Sequence, residues 1–366
     1  MKIVQIITTL CYGGAEKICI DLSNALVKHP SVSKVVIISL HAHNSGYRPL
    51  NTIDPNIELH FLNKKGNIGI PVFLKLYRLL KKLKPDVIHT HLTGLVYALP
   101  FVLTNKRISV IHTIHNIPSK DVPGLFQPVH KWLFRSKLVH PVAISKQIQE
   151  AAQLFYTISK MELVYNFIAA PQTTSALNEV RDKIESLKET RHTKVFLNIG
   201  RLNQQKNQIP LIEVFAKKDE DIILVILGGY KEAGTYGEKV KAIADQAANV
   251  YMMGNVPNPI DYLVCADFFI LSSLYEGLPV SLIEAAAMGI VPIATDVGGV
   301  NEIISDGKSG ILIKSTNPAA IYKGIIDGLA LDESTKIEMR FNLNALYQQH
   351  FSIQNAVELY LQVYNA

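Results

Sequence analysis

The stretch from Ser272 to Glu302, SSLYEGLPVSLIEAAAMGIVPIATDVGGVNE, decides the fold. Two apolar runs of strand type, Asp267–Ser272 and Ile290–Thr295, bracket a loop and a helical pattern. At the junction of loop and helix sits Gly277-Leu278-Pro279, and proline is tolerated in a first helical turn because its missing N–H would be unpaired there anyway. A strand, a glycine-containing loop and a helix N-terminus together form an anion site at the carboxyl edge of a parallel sheet. Two carboxylates, Glu276 and Glu284, stand eight residues apart across that junction. An anion site flanked by carboxylates suits a ligand carrying both phosphates and hydroxyls, such as a nucleotide sugar.

Outward from this stretch, short apolar runs alternate with helical patterns. In the first half the expected strands are Lys2–Thr8, Lys34–Leu40, Ile57–Leu62, Val87–His91, Ser109–His115 and Leu138–Ile144, with helices at Gly14–Lys28 and Ile70–Leu83. The second half repeats the scheme with Lys194–Gly200, Ile222–Gly228, Val250–Gly254, Phe268–Ser272, Val291–Thr295 and Gly310–Ile313. Such alternation implies α/β architecture with parallel sheets covered on both faces. Between the halves, residues 171–193 are polar, opening as a linker and continuing into a helical pattern. The expected organisation is one Rossmann-like domain over residues 1–170, a second over 171–350, and an amphipathic C-terminal helix over 351–366.

A chain of 366 residues with 48% apolar side chains has material for two cores. Cys11, Cys19 and Cys265 show no metal-ligand spacing and read as reduced thiols of a cytoplasmic protein. The N-terminal MKIVQIITTLCYGGAEK lacks a convincing cleavage site and makes sense as a strand leading into a glycine loop. No uninterrupted apolar run approaches the ~18 residues of a membrane span. The net charge of +6 is divided: residues 1–170 hold 20 Lys and Arg against 8 Asp and Glu, net +12, and residues 171–366 hold 17 against 23, net −6. A basic half expects an anionic partner. The segment Leu74–Lys84 reads either as a basic amphipathic helix on an anionic membrane surface or as an ordinary helix packing its leucines onto the sheet. The segment His130–Lys137, with the only Trp, also suits a membrane surface, giving a peripheral position on the inner face of the plasma membrane as a further expectation. No motif supports nucleic acid as a partner.

Other residues suit the same ligand chemistry. Arg201 and Lys206 follow the strand ending at Gly200, and two cations on one loop can hold a diphosphate and stabilise it as a leaving group. Gly13 and Gly14 follow the first strand and open a helix, so their N–H groups can approach a phosphate. No cofactor is expected, because the glycine run is not G-x-G-x-x-G. No metal is expected either. His89, His91, His112 and His115 are read as pairs whose members point to opposite sheet faces, and the chain is read as lacking an Asp-x-Asp motif.

These segments together resemble retaining glycosyltransferases of family 4, which have the GT-B fold of two facing Rossmann-like domains. The Glu276–Glu284 spacing resembles the family's E-x7-E motif, and Gly200-Arg201-Leu-Asn-Gln-Gln-Lys206 its G-R-x4-K loop. Gly13-Gly14-Ala15-Glu16, Thr295–Glu302 and Asp306–Gly310 resemble further signatures, in the family's order. The resemblance implies a metal-independent hexosyltransferase that moves a sugar from a UDP- or GDP-sugar to a hydroxyl of a glycan or lipid-linked acceptor, as in polysaccharide or lipopolysaccharide biosynthesis. By the same resemblance, Glu284 contacts the ribose and Glu276 the hydroxyls of the donor sugar. Arg201 and Lys206 then take the diphosphate, the Gly277-Leu278-Pro279 turn lies beside it, and His115 faces the sugar from the first domain. The C-terminal helix is implied to return to the first domain. Where the family has N-G-I-D, this chain has Asn166-Phe167-Ile168-Ala169, so no ligand role is carried there. Two rival readings share the architecture: a UDP-sugar 2-epimerase, which needs no acceptor, and a non-catalytic nucleotide-sugar-binding protein.

Overall fold

The computed structural model describes residues 1–43, 50–66, 69–217, 221–229 and 234–366. Its contacts divide the chain into two units, Met1–Phe167 with Ile353–Ala366, and Ile168–Ser352. The chain therefore passes between units twice, at Phe167–Ile168 and at Ser352–Ile353.

Among the described residues the first unit holds seven strands: β1 (Lys2–Ile7), β2 (Lys34–Ser39), β3 (Glu58–Phe61), β4 (Val87–His91), β5 (Ser109–Ile114), β6 (His140–Ala143) and β7 (Glu162–Leu163). Their order is β3-β2-β1-β4-β5-β6-β7, and every ladder is parallel. The central strands are buried on both faces, which is why β1 reads KIVQII and β2 KVVIIS with no alternation. Strand β7 was not expected; two residues are too few to leave a pattern in the sequence. The helix Ile70–Leu83 buries Val72, Leu76, Leu80 and Leu83, so its leucine stripe packs inward and its cations face out. The C-terminal helix Ile353–Asn365 buries Ala356, Val357, Tyr360, Leu361 and Tyr364 and packs against the helix Gly14–Leu26.

The second unit holds β8 (Lys194–Ile199), β9 (Ile222–Leu227), β10 (Val250–Gly254), β11 (Phe268–Leu271), β12 (Val291–Thr295) and β13 (Ile311–Ile313). The order is β10-β9-β8-β11-β12-β13, again all parallel. Its core includes Phe196, Phe215 and Phe268, the Phe196 ring stacked on Phe268 at 5.0 Å. In both units the first strand lies beside the fourth, so the order reverses between β1 and β4 and between β8 and β11. At such a switch point neighbouring loops diverge, leaving a crevice at the carboxyl edge of the sheet. Both segments singled out in the second half, Gly200–Lys206 after β8 and Ser272–Pro279 after β11, leave the sheet at that edge.

Candidate functional site

In the second unit the two loops meet through one ion pair. Lys206 Nζ donates to Glu276 Oε1 at 2.6 Å, and Ser273 Oγ donates to the same oxygen at 2.6 Å. The pair is mostly enclosed, with side-chain exposures of 15% and 6%. The loop that presents Lys206 is tied at several points. Asn203 Oδ1 accepts from the Lys206 N–H, Ser272 Oγ donates to the Lys206 carbonyl, and Gln208 Nε2 donates to the Arg201 carbonyl. Asn207 adopts φ +56°, the left-handed region in which Asn is among the better-tolerated side chains, and opens the helix Gln208–Ala216. The Gln205 amide reaches across to the Tyr275 carbonyl at 2.9 Å. Arg201 is exposed at the mouth of the loop.

The carboxylate loop is held from its other side by the turn after β12. Gly298 has φ +59°, and a Cβ there would lie 1.9 Å from the Glu276 carbonyl oxygen. The Gly299 N–H donates to the Gly277 carbonyl at 2.8 Å, and Thr295 Oγ1 donates to the Ser273 carbonyl at 2.7 Å. The Val297-Gly298-Gly299 run is thus a packing requirement of the Glu276 loop. Pro279 caps the helix Val280–Ala287, and Leu278 is buried. That helix buries Glu284, at 7% exposure, among Leu282, Ile283 and Ala285.

Sequence reasoning missed Ser273, Asn203, Gln205 and Gly298 as supports. The glycine was visible as part of a motif. The polar partners were not, because their function is to hold loops that are distant in sequence. Gly200 lies under the Lys206 stem, where a Cβ would meet Cε at 3.3 Å.

In the first unit Gly13 precedes the helix that begins at Gly14. Glu16 folds back over this turn, bonded to Thr9 Oγ1 at 3.0 Å and Cys11 Sγ at 3.1 Å, and a Cβ on Gly13 would lie 2.2 Å from its Oε2. His115 follows β5. Its N–H donates to Asp121 Oδ1 at 2.9 Å, and its Nε2 lies 2.9 Å from His91 Nδ1. Burial holds the imidazoles neutral: His115 is lowered to about 4, His112 and His130 to about 3, and His89 and His91 well below their ordinary value. Burial likewise pushes Asp121 up.

Two expectations about metal chemistry need correction. His89 and His91 are two apart in β4 and share one face, where they pack ring to ring at 4.2 Å. Thr90, between them, points to the other face and meets His112 Nδ1 at 2.9 Å. The chain also does contain an Asp-x-Asp, Asp219-Glu220-Asp221. Asp219 and Glu220 lie outside the described residues. Asp221 precedes β9 at the amino edge of the sheet, opposite the Lys206–Glu276 loops, and its carboxylate accepts from the hydroxyls of Thr190 and Thr193. Among the described residues no group of three His, Cys, Asp or Glu is placed to hold a metal ion.

Residues 12–170 match the family model described as Glycosyltransferase Family 4, and residues 179–345 match Glycosyl transferases group 1. The chain is similar to the capsular polysaccharide biosynthesis glycosyltransferase CapH of Staphylococcus aureus, with 25% identity over 99% of each chain. It is also similar to an alpha-1,4-N-acetyl-D-galactosaminyltransferase of Campylobacter jejuni acting on a PP-undecaprenol-linked glycan, with 26% identity over 88% of this chain and 87% of the relative. In fold it is similar to Anabaena HepE in complex with UDP, with a TM-score of 0.79, 17% identity and 99% of both chains covered. The two Rossmann-like sheets and the two matched models, which together span most of the sequence, place the chain in a family: it belongs to the glycosyltransferases of family 4 and group 1, with the GT-B architecture.

Proposed function

We propose that this glycosyltransferase takes a UDP-sugar and transfers the sugar, with retention at the anomeric carbon, to a hydroxyl of a lipid-linked glycan. The observation that carries the reading is the Lys206–Glu276 pair at the carboxyl edge of the second sheet, at its switch point. A cation for phosphate and a carboxylate for hydroxyls stand side by side there, where the two halves of a nucleotide sugar join. Arg201 and Lys206 take the diphosphate, Glu284 the ribose and Glu276 the sugar hydroxyls, beside the Gly277-Leu278-Pro279 turn. The C1–O bond to the diphosphate breaks, a C1–O bond to the acceptor forms on the same face, and the acceptor's proton passes to the departing phosphate oxygen. Positive charge from Arg201, Lys206 and the N-terminus of the helix Val280–Ala287 stabilises the leaving group without a divalent ion. By the family resemblance Gly13 and Gly14 are assigned to donor binding and His115 to a contact with the sugar.

UDP as the nucleotide is supported by the likeness to HepE, and a lipid-linked acceptor by the C. jejuni relative. An anionic leaflet fits the net +12 of residues 1–170 and an exposed stripe of Leu125, Pro128, Trp132 and Arg135. No helix among the described residues is long and apolar enough to cross a membrane. The test is a transfer assay with UDP- and GDP-sugars and undecaprenol-diphosphate-linked acceptors, on the wild type and on Arg201→Ala and Lys206→Ala. Each variant loses a donor that stabilises charge in the transition state, an effect of roughly 10²–10³ in kcat. Near-normal turnover in both variants removes this loop from the mechanism, and epimerised nucleotide sugar formed without acceptor replaces transfer by epimerisation.

A further inference from the structure

A buried hydrogen-bond chain runs under the first sheet and ends at His115. His91 Nε2 lies 2.9 Å from Gln5 Oε1, and His91 Nδ1 lies 2.9 Å from His115 Nε2. From the other end of the Gln5 amide, Nε2 donates to Tyr364 Oη at 3.5 Å. Tyr364 Oη meets His89 Nδ1 at 2.8 Å, His89 Nε2 meets Thr113 Oγ1 at 2.7 Å, and Thr113 Oγ1 meets Tyr360 Oη at 2.9 Å. Gln5, His89, His91 and Thr113 are fully buried.

The chain has a direction, and the Gln5 amide sets it. A carbonyl oxygen can only accept, so His91 must carry its proton on Nε2. Both histidines are neutral, so each ring has one proton. His91 Nδ1 is then bare and accepts, and the proton in the His91–His115 bond belongs to His115 Nε2. His115 Nδ1, which is buried and has no hydrogen-bond partner among the described residues, is left as a lone pair. The opposite direction would leave Nδ1–H as a buried donor without an acceptor, and orphaned buried N–H groups are rarer than under-satisfied acceptors.

We infer that Gln5 is a positioning residue for His115, acting through His91: it fixes His115 as the tautomer protonated on Nε2 and locks that ring against His91. The inference rests on the reading of His115 as a contact to the sugar. With its ring tied to His91 and its N–H tied to Asp121, His115 leaves β5 in one conformation, as a group meeting a substrate at the carboxyl edge must. The C-terminal helix contributes through Tyr364, which holds the far end of the Gln5 amide.

The test begins on the wild-type protein with ¹⁵N-histidine labelling, signals being assigned by His91→Gln and His115→Gln. Expected at pH 7 are His91 and His115 both protonated on Nε2 and bare at Nδ1. A proton on His115 Nδ1 in the wild type overturns the inference whatever the activity. Gln5→Glu keeps an acceptor for His91 but places a charge beside it, which favours the doubly protonated ring. His91 Nδ1–H then faces His115 Nε2–H, and His115 must move its proton to Nδ1 or turn its ring. The expected result is a changed His115 signal and at least a tenfold fall in kcat for transfer, with calorimetric UDP affinity unchanged. Unchanged transfer in Gln5→Glu, while His115→Ala is inactive, also overturns it. Should His115→Ala transfer normally, it is the role of His115 in the reaction that fails, and the wild-type signals still judge the tautomer. They do so too if Gln5→Glu does not fold.

Discussion

Gly298→Ala should cost far more than an alanine at another left-handed glycine, and the structure says how much more. Gly298 sits at φ +59°, where an L side chain costs ~1–2 kcal/mol. Its Cβ would also lie 1.9 Å from the carbonyl oxygen and 2.7 Å from the carbonyl carbon of Glu276. These are backbone atoms that cannot swing aside, so relief requires the two loops to part, an overpacking cost of ~1–3 kcal/mol. The sum is roughly 2–5 kcal/mol. Gly307 is the control: it has φ +70° and nothing within 4 Å of an added Cβ, so Gly307→Ala should cost only ~1–2 kcal/mol. At ~2–4 °C per kcal/mol for a unit of this size, calorimetry should find Gly298→Ala melting about 4–20 °C lower and Gly307→Ala about 2–8 °C lower. Separation of the loops also draws Glu276 from Lys206, so Gly298→Ala should lose transfer activity at temperatures where both variants are folded. Equal destabilisation by the two substitutions refutes the close approach of the Gly298 turn to the Glu276 loop.

Glu284→Gln should weaken both free UDP and the nucleotide sugar, whereas Glu276→Gln should spare free UDP and impair transfer; calorimetry giving the reverse pattern exchanges the two roles. Transfer should continue in excess EDTA, and abolition with rescue by Mg²⁺ or Mn²⁺ counts against a metal-free mechanism. Acid should destabilise the first unit. Buried histidines lowered to about 3 or 4 from an unfolded 6.5 contribute stability that is full above pH 6.5 and lost as pH falls toward their folded values. Each contributes about 2 kcal/mol less at pH 5 than at pH 7, from ~1.4 kcal/mol per unit, offset in part by Asp121, whose carboxyl is raised. Urea unfolding followed by the single Trp, Trp132, should show this, and a midpoint unchanged from pH 7.5 to 5 would sink it. Finally, the wild type should pellet with anionic vesicles at low salt and be released at high salt, as screening over ~8–10 Å requires, with Trp132→Ala and Arg135→Glu weakening the attachment; no pelleting at low salt makes a soluble acceptor the better reading.

Much of this molecule is legible in its sequence because its signals are local. A strand buried on both faces shows no polar–apolar alternation, so β4 and β12 stand where Val87–His91 and Val291–Thr295 were expected, and the half-buried edge strand β10 also matches Val250–Gly254. The helix Ile70–Leu83 follows from its spacing of leucines, and the Arg201, Lys206, Glu276 and Glu284 segments from the loops that must end strands at one edge of a parallel sheet. The sequence did not show what those side chains touch. That Lys206 lies on Glu276, 70 residues away, depends on β8 and β11 being neighbours, which is a property of strand order. The sequence leaves open whether the leucines of residues 74–84 face a membrane or the sheet; packing turns Leu76, Leu80 and Leu83 inward and leaves Leu74 exposed. That His89 and His91 share one face was legible, because residues two apart in a strand do so; what the sequence could not show is their partners, Gln5 on β1 and Tyr364 on the last helix, which come from far along the chain. The sequence by itself determined the elements and the chemistry available at their ends. Only the tertiary structure decided which polar groups meet, because a buried polar atom must find a partner wherever the fold places one.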